Sequence, residues 1–215
     1  MGVSVGSSIY NALGIYESGA GGGGGGGGGG FVPLPTGYTF LEKLNISGTQ
    51  GIKIDFVNKR TSYNDVNLLD VFVELVYKEL SSSKILIQIE KNDGIPIALI
   101  GDNAQYDTFK YNNWLVGDYP GIRQSDYLNK DLILNIYGNS LKINDNAYSI
   151  HNPSALIKYY AIGSLSGNLV FDMDIKNIMM YYQGKLIFMG ITCIRDLDGV
   201  EGVYNPLEDE FIQKA

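Results

Sequence analysis

The sequence predicts an all-β fold: an antiparallel two-sheet jelly-roll sandwich over residues 31–215, preceded by an extended glycine-rich N-terminal arm over residues 1–30. Three observations carry this. Apolar residues after Pro35 recur with a period of two rather than 3.6. Turn residues interrupt these runs about every 8–12 positions, the spacing of short strands in sandwiches. Glycine is unevenly placed: 14 of the 28 lie in the first 30 residues, ten of them in the unbroken run Gly21–Gly30. The rest of the chain has an ordinary glycine content of about 7%.

The arm carries one charged side chain, Glu17, and few large apolar ones. It cannot close a core alone. As a free coil the ten-glycine run spans about 17 Å root-mean-square; drawn out it reaches about 35 Å. It reads either as a flexible linker or as an extended polyproline-II segment that bundles with neighbouring chains in a symmetric stalk. Ile9, Tyr10, Leu13, Ile15, Tyr16, Gly21 and Gly30 form the candidate assembly anchor, the arm contributing backbone hydrogen bonds by strand addition at a capsid or collar surface. The run contains GxGxxG trivially, but FVPLP follows it instead of a helix, which excludes a dinucleotide-binding turn.

The strands follow in order. In VFVELVYKEL, Val71, Val73, Leu75 and Tyr77 share one face. Ser81, Ser82 and Ser83 then read as a hairpin connection into KILIQIE, where Ile85, Ile87 and Ile89 oppose Leu86, Gln88 and Glu90. Further apolar runs are IPIALI, LIKYYAI and NLVFDMDI. DLILNIYGNSLKIN turns at Gly138-Asn139 and NIMMYYQGKLIFMGI at Gln183-Gly184, both tight-hairpin signals. About twelve short strands result, with no convincing amphipathic helix.

Composition narrows the function. A 185-residue segment buries a sizeable core and reads as one domain. The formal net charge of −7 gives no footprint for nucleic acid or an anionic membrane. No apolar stretch approaches the ~18–20 residues of a membrane span. The first residues lack the basic n-region of a signal peptide. Cys193 is the single cysteine, so neither an intrachain disulfide nor a cysteine zinc site is expected.

Two segments point to a family. LPTGYTFLEKLNISGTQGIKIDF (34–56) resembles the opening of LamG-like, concanavalin A-like jelly-roll domains of bacteria and their phages. KNIMMYYQGKLIFMGITCIRDLDGVEGVYNPLEDEFI (176–212) is similar to the same family's closing stretch. Cys193, Arg195, Asp198, Gly199, Gly202, Tyr204 and Phe211 fall at matching places, with Thr192 where the pattern has Pro and Asn205 where it has Asp. The resemblance implies a module that binds or builds rather than catalyses. With a glycine-rich segment ahead of it, the chain resembles a phage fibre or capsid-decorating protein. The expected function is therefore that of a non-enzymatic virion protein, made in the host cytoplasm, whose arm anchors to capsid or tail while the head projects outward. Its expected partners are virion proteins and further copies of itself as a homodimer or homotrimer, with a host-surface glycan as candidate ligand. No cofactor, metal, nucleic acid or membrane insertion is expected. The alternative is a bacterial surface or secreted carbohydrate-binding module, which predicts an export signal or lipobox cysteine.

Asp172 and Asp174, two apart, face one side together, but the Glu-x-Asp-x-Glu arrangement of hydrolytic relatives is missing. DLDG (196–199) opens like a calcium loop, yet Val200 and Glu201 break the pattern, leaving an Asp-Gly turn. His151, the single histidine, has no nucleophile motif beside it. The aromatics of QYDTFKYNNWLVGDYPG are the remaining signal. Tyr106, Tyr111, Trp114 and Tyr119 are candidates for a glycan or partner surface, while the period-two placement of Phe109 and Tyr111 equally suits a core strand.

Overall fold

The computed structural model describes residues 34–81, 83–94, 96–102, 108–111, 114–115, 122–144, 146–150, 155–164 and 167–215. The candidate anchor positions Ile9, Tyr10, Leu13, Ile15, Tyr16, Gly21 and Gly30 lie outside them, as do Tyr106, Tyr119 and His151.

The described residues form an all-β, antiparallel two-sheet sandwich. Sixteen strands are present among them, in place of the roughly twelve expected. They are β1 (Tyr38–Phe40), β2 (Leu44–Ile46), β3 (Gly51–Asp55), β4 (Leu69–Tyr77), β5 (Ile85–Lys91), β6 (Pro96–Asp102), β7 (Thr108–Tyr111) and β8 (Trp114–Leu115). After these come β9 (Leu132–Tyr137), β10 (Ser140–Ile143), β11 (Asn146–Ser149), β12 (Ile157–Gly163), β13 (Met173–Tyr182), β14 (Lys185–Arg195), β15 (Val200–Asn205) and β16 (Glu210–Gln213). One sheet has ten strands, ordered β11-β10-β9-β4-β13-β14-β15-β16 with β1 and β2 added beside β14 and β13; the other has six, ordered β3-β12-β5-β6-β7-β8. The core lies between them. Val71, Val73, Leu75 and Tyr77 from β4 meet Ile87, Ile89, Ile97 and Tyr160 from the facing sheet, all buried. The alternation in the sequence thus reports one buried face per strand.

Both two-residue hairpins occur where expected. Tyr137 pairs with Ser140 across Gly138-Asn139, and Tyr182 with Lys185 across Gln183-Gly184. Gln183 (φ 50°) and Gly184 (φ 80°) both take the left-handed backbone that matches strand twist in such turns.

The Ser81–Ser83 connection is different. It does not close a hairpin: β4 belongs to the ten-stranded sheet and β5 to the six-stranded one, so the chain crosses between layers. Both strands are interior, β4 between β9 and β13 and β5 between β12 and β6, which leaves neither an edge for the other. Buried Gln124 fixes the crossing. Its amide oxygen accepts from the Ser81 backbone N–H at 3.0 Å, and its amide nitrogen donates to the carbonyls of Ser81 (2.8 Å) and Thr108 (2.7 Å). The ladder also slips between Ile85 and Ile87, so Leu86 is buried beside them rather than placed on the solvent face.

The first strands fill a fork. β14 pairs with β13 through Ile191 and then parts from it; β1 pairs with β14 at Cys193–Arg195 while β2 pairs with β13 at Met173–Ile175. Thr192 sits at the apex, its hydroxyl donating to the Leu41 carbonyl at 2.6 Å. A proline there, as in the related pattern, has neither that hydroxyl nor a backbone donor. At the far side Ala215 exchanges backbone hydrogen bonds with Gly51, tying the end of the ten-stranded sheet to the edge of the six-stranded one.

Candidate functional site

The two outer faces of the sandwich differ in chemistry. On the six-stranded sheet the outward side chains include charged ones, with Lys53 3.6 Å above the Tyr159 ring and Lys158 3.8 Å from Glu90, while Ala161 and Gln88 in register with Lys53 are buried. The ten-stranded sheet presents three cross-strand rows running over β14, β13, β4 and β9. They are Leu186-Tyr181-Asp70-Tyr137, Met189-Met179-Phe72-Asn135 and Ile191-Asn177-Glu74-Ile133. None of the twelve is Lys or Arg. Met179, Met189 and Ile191 are buried although they face away from the main core, because Phe72, Ile133, Tyr181 and Leu186 close around them. Phe72 and Tyr181 meet edge-to-face, their centroids 6.0 Å apart.

The polar members of these rows are paired with each other. Asn177 donates to Glu74 at 2.5 Å, and Asn135 donates to Asp70. Burial pushes the Asp70 carboxyl upward, against the lowering effect of the Asn135 hydrogen bond. These four strands are rich in Met and aromatic side chains on this face and their carboxylates are satisfied sideways, while Lys142 of β10 continues the middle row beside Asn135. Leu34, the first described residue, packs on this cluster.

Beside the rows lies the Asp172/Asp174 pair, and its geometry is that of an ion-pair knot. Asn45 donates to both carboxylates (2.9 and 3.2 Å), Lys78 is 2.6 Å from Asp174 and 3.6 Å from Asp172, and Lys43 is 2.8 Å from Asp174. Burial alone would raise the Asp174 carboxyl, but hydrogen bonds from Lys43, Lys78 and Asn45 outweigh it and hold it at about 2. A general acid at neutral pH needs the opposite shift. Because the folded value lies below the ordinary 3.8, the carboxylate contributes stability above pH ~3.8 and loses it as pH falls toward 2. Asp174→Asn is therefore expected to lower stability at pH 6 and to converge on the unsubstituted protein only near pH ~1.5 in urea melts. An equal loss at both pH values would show that the carboxylate is not ion-paired in solution.

The two segments that carry the family resemblance meet in space. Tyr38 lies 5.1 Å from Tyr204 and 5.5 Å from Phe211, and the Arg195 guanidinium stacks 4.8 Å above Phe211. Phe40 beside them is 44% exposed. The Thr39 hydroxyl donates to Asp196 at 2.7 Å; Asp198 takes a bidentate pair from Arg195 (3.1 and 2.6 Å) and caps the Val200 N–H. The DLDG carboxylates are thus engaged by the protein, and Gly199, at φ 71°, makes the turn. Among the described residues no group of three or more His, Cys, Asp or Glu side chains could hold a metal ion. Cys193 is buried, and that burial pushes its thiol up to about 11. Asn205, where the pattern has Asp, uses both ends of its amide: it accepts from Met189 N–H at 3.3 Å and donates to Glu208 at 3.2 Å. A carboxylate could not donate.

The aromatic candidates do not assemble into a surface site among the described residues. Tyr111 is 1% exposed, on the core side of β7 with Phe109, which packs edge-to-face on Tyr77. It is removed from the glycan or partner surface; the period of two places it inward. Trp114 lies on the short edge strand β8, its backbone opposite Tyr111. Sequence reading passed over Lys43, Asn45 and Lys78, because Lys43 and Asn45 sit at β2 and Lys78 just after β4, and no spacing links either place to Asp174 on β13. The apolar rows did leave a signal: NIMMYYQGKLIFMGI is apolar at both parities, the mark of strands buried on two faces.

No protein-family model matches the chain, and no curated protein matches it. Among solved structures, Trypanosoma rangeli sialidase aligns at a TM-score of 0.46 and 11% identity over 70% of this chain and 27% of that one. The same sialidase in complex with sialic acid aligns at 0.47 and 12% identity, over 71% and 27%. The chain spans about a quarter of the length of those structures. At this level the likeness carries no argument about activity.

Proposed function

We propose that the protein is a non-enzymatic structural module of a virion: residues 1–30 anchor it to capsid or tail, and the sandwich projects outward as the head. The observation that carries the reading is the asymmetry of the two outer faces. The six-stranded sheet carries Lys53, Glu90 and Lys158 on its outer face, whereas four strands of the ten-stranded sheet present Met and aromatic side chains over three rows without Lys or Arg, and Leu34 packs there. Such an arrangement gives the head one inward-facing and one outward-facing side. The Asp172/Asp174 pair, neutralised by two lysines, supports the non-enzymatic part. The resemblance of both chain ends to LamG-like modules supports the virion part.

The charged face of the six-stranded sheet would then be the side offered to a host surface, with many copies adding weak contacts by avidity. A polysaccharide panel tests the non-enzymatic reading. No release of reducing ends is expected from any member, and turnover that a substitution on the head abolishes, Asp174→Asn included, would contradict it. Strong glycan-array binding by a head that does not enter particles would favour the carbohydrate-binding module instead.

A further inference from the structure

We infer that β11 is the edge by which a second copy of the chain joins the ten-stranded sheet, pairing antiparallel with the partner's β11 about a two-fold axis at Tyr148. The inference stands apart from the virion reading, since it concerns two copies of this chain alone. β11 ends its sheet, and Asn146, Ala147 and Ser149 on it are exposed. The Ile150 N–H donates to the Asn139 carbonyl at 2.9 Å, which fixes the alternation of the β10–β11 ladder. Asn146 and Tyr148 thus exchange backbone hydrogen bonds with Ile143 and Leu141, while the N–H and C=O of Ala147 and Ser149 point away from the sheet. A two-fold axis at Tyr148 is the register that uses all of these outward groups. It sets Ala147 against the partner's Ser149 and Ser149 against the partner's Ala147, both as hydrogen-bonded pairs. The side chains that meet there are small and neutral. Tyr148 then stands directly opposite the partner's Tyr148, an aromatic cross-strand pair. Its ring already packs against the main core, and its hydroxyl is 3.2 Å from that of Tyr127.

The other sheet ends offer less. On β3 the Gly51 N–H and C=O are taken by Ala215, the Asp55 carbonyl accepts from Arg60 at 3.0 Å, and Lys53 stands between them. β16 lies against β3 at that same seam. β8 has only two residues. β11 by contrast holds no charged residue and no proline, and its ladder with β10 runs without a bulge. Charge, proline and bulges are the devices that keep edge strands from pairing with one another. A foreign extended peptide would find the same backbone groups, but neither the self-matching register nor the Tyr148 pair.

The association state of the full-length chain and its variants decides the matter. Sedimentation velocity is followed up to about 1 mM, since a contact built on one short strand is weak. A reversible dimer is expected. Ala147→Pro leaves the chain's own ladder intact, because that N–H faces outward, and removes a donor from the pairing in both copies. It is expected to weaken the dimer about ten-fold or more while the β-sheet circular dichroism spectrum stays unchanged. In a Cys193→Ala background, Tyr148→Cys is expected to form an interchain disulfide on mild oxidation. Lys142→Cys, three strand spacings or about 14 Å from its copy, is expected to form none. A chain that stays monomeric throughout would overturn the inference and leave β11 to a foreign strand. A dimer that Ala147→Pro leaves unchanged, or equal disulfide yields at Tyr148→Cys and Lys142→Cys, would overturn it too and place the contact elsewhere.

Discussion

Replacing Arg60 with alanine is expected to lower the stability of the head by about 3 kcal/mol, a fall in melting temperature of about 6–12 °C for a domain of this size. The Arg60 side chain has no solvent exposure. Its guanidinium donates to the Asp55 carbonyl at 3.0 Å, to Glu210 at 2.7 Å and to Glu208, and lies 5.1 Å from the Phe188 ring. The residue thus fastens the loop after β3, in the six-stranded sheet, to the β15–β16 turn of the ten-stranded sheet. Truncation leaves two carboxylates facing a cavity. Burial opposes ionisation of Glu210, but hydrogen bonds from Lys59 and Arg60 override it and keep its carboxyl below the usual range. Burial raises that of Glu208, against the pull of Arg60. Breaking a buried pair typically costs ~3–5 kcal/mol; the lower end applies because the Glu208 side chain is 30% exposed and solvent screens it. A double-mutant cycle with Glu210→Gln separates charge from packing. If Arg60→Ala costs as much in the Glu210→Gln background as alone, the ion pair contributes nothing and the loss is one of packing.

The second large effect belongs to Gly202. A Cβ added there would lie 2.2 Å from the Ile212 carbonyl oxygen and 2.9 Å from both Gln213 Cα and Phe211 Cζ. β16 runs too close for any side chain, and backbone atoms cannot rotate out of the way. Gly202→Ala is expected to cost about 2–3 kcal/mol. It should also speed amide exchange in β16 and at Gly51, whose N–H is bonded to the Ala215 carbonyl. Gly199→Ala is the control. Nothing lies within 4 Å of a Cβ at that site, so the cost is only that of the left-handed backbone, about 1 kcal/mol. Equal losses at the two positions would mean that β16 yields readily and that the close approach does not hold the edge together.

These two residues show what the sequence made legible. Gly202 falls in a stretch that resembles a known closing pattern, but the close approach of β16 that demands glycine there became legible only in the structure. Arg60 belongs to none. Its partners lie about 150 positions away, and nothing in an NKRTS stretch announces a buried guanidinium. The same contrast runs through the fold. The hairpins at Gly138-Asn139 and Gln183-Gly184 were readable because two turn residues decide them. The Ser81–Ser83 connection was misread as a hairpin because hairpins and sheet-crossing links have similar lengths; the choice between them is made by Gln124, more than forty residues further on. Tyr111 was ambiguous for a related reason. An aromatic in a period-two run serves a core or a binding surface equally well until its neighbours are known, and Tyr77 and Phe109 place it in the core.

The carboxylate pair adds a point about chemistry. Asp172 and Asp174 do share a face, as their spacing requires, yet the spacing was silent on Lys43, Lys78 and Asn45. Those three convert a potential acid–base pair into a structural knot where β2, β4 and β13 meet.

In the proposed function residues 1–30 are required for entry into the particle, and the apolar face of the sandwich does not suffice without them. This requirement is tested most directly by supplying full-length chain and chain lacking residues 1–30 together, in equal amounts, during particle assembly, and counting both in purified virions. The particles are expected to hold full-length chain alone, with the truncated head left in solution, folded and with an unchanged melting temperature. Equal numbers of the two chains in the particles would contradict it.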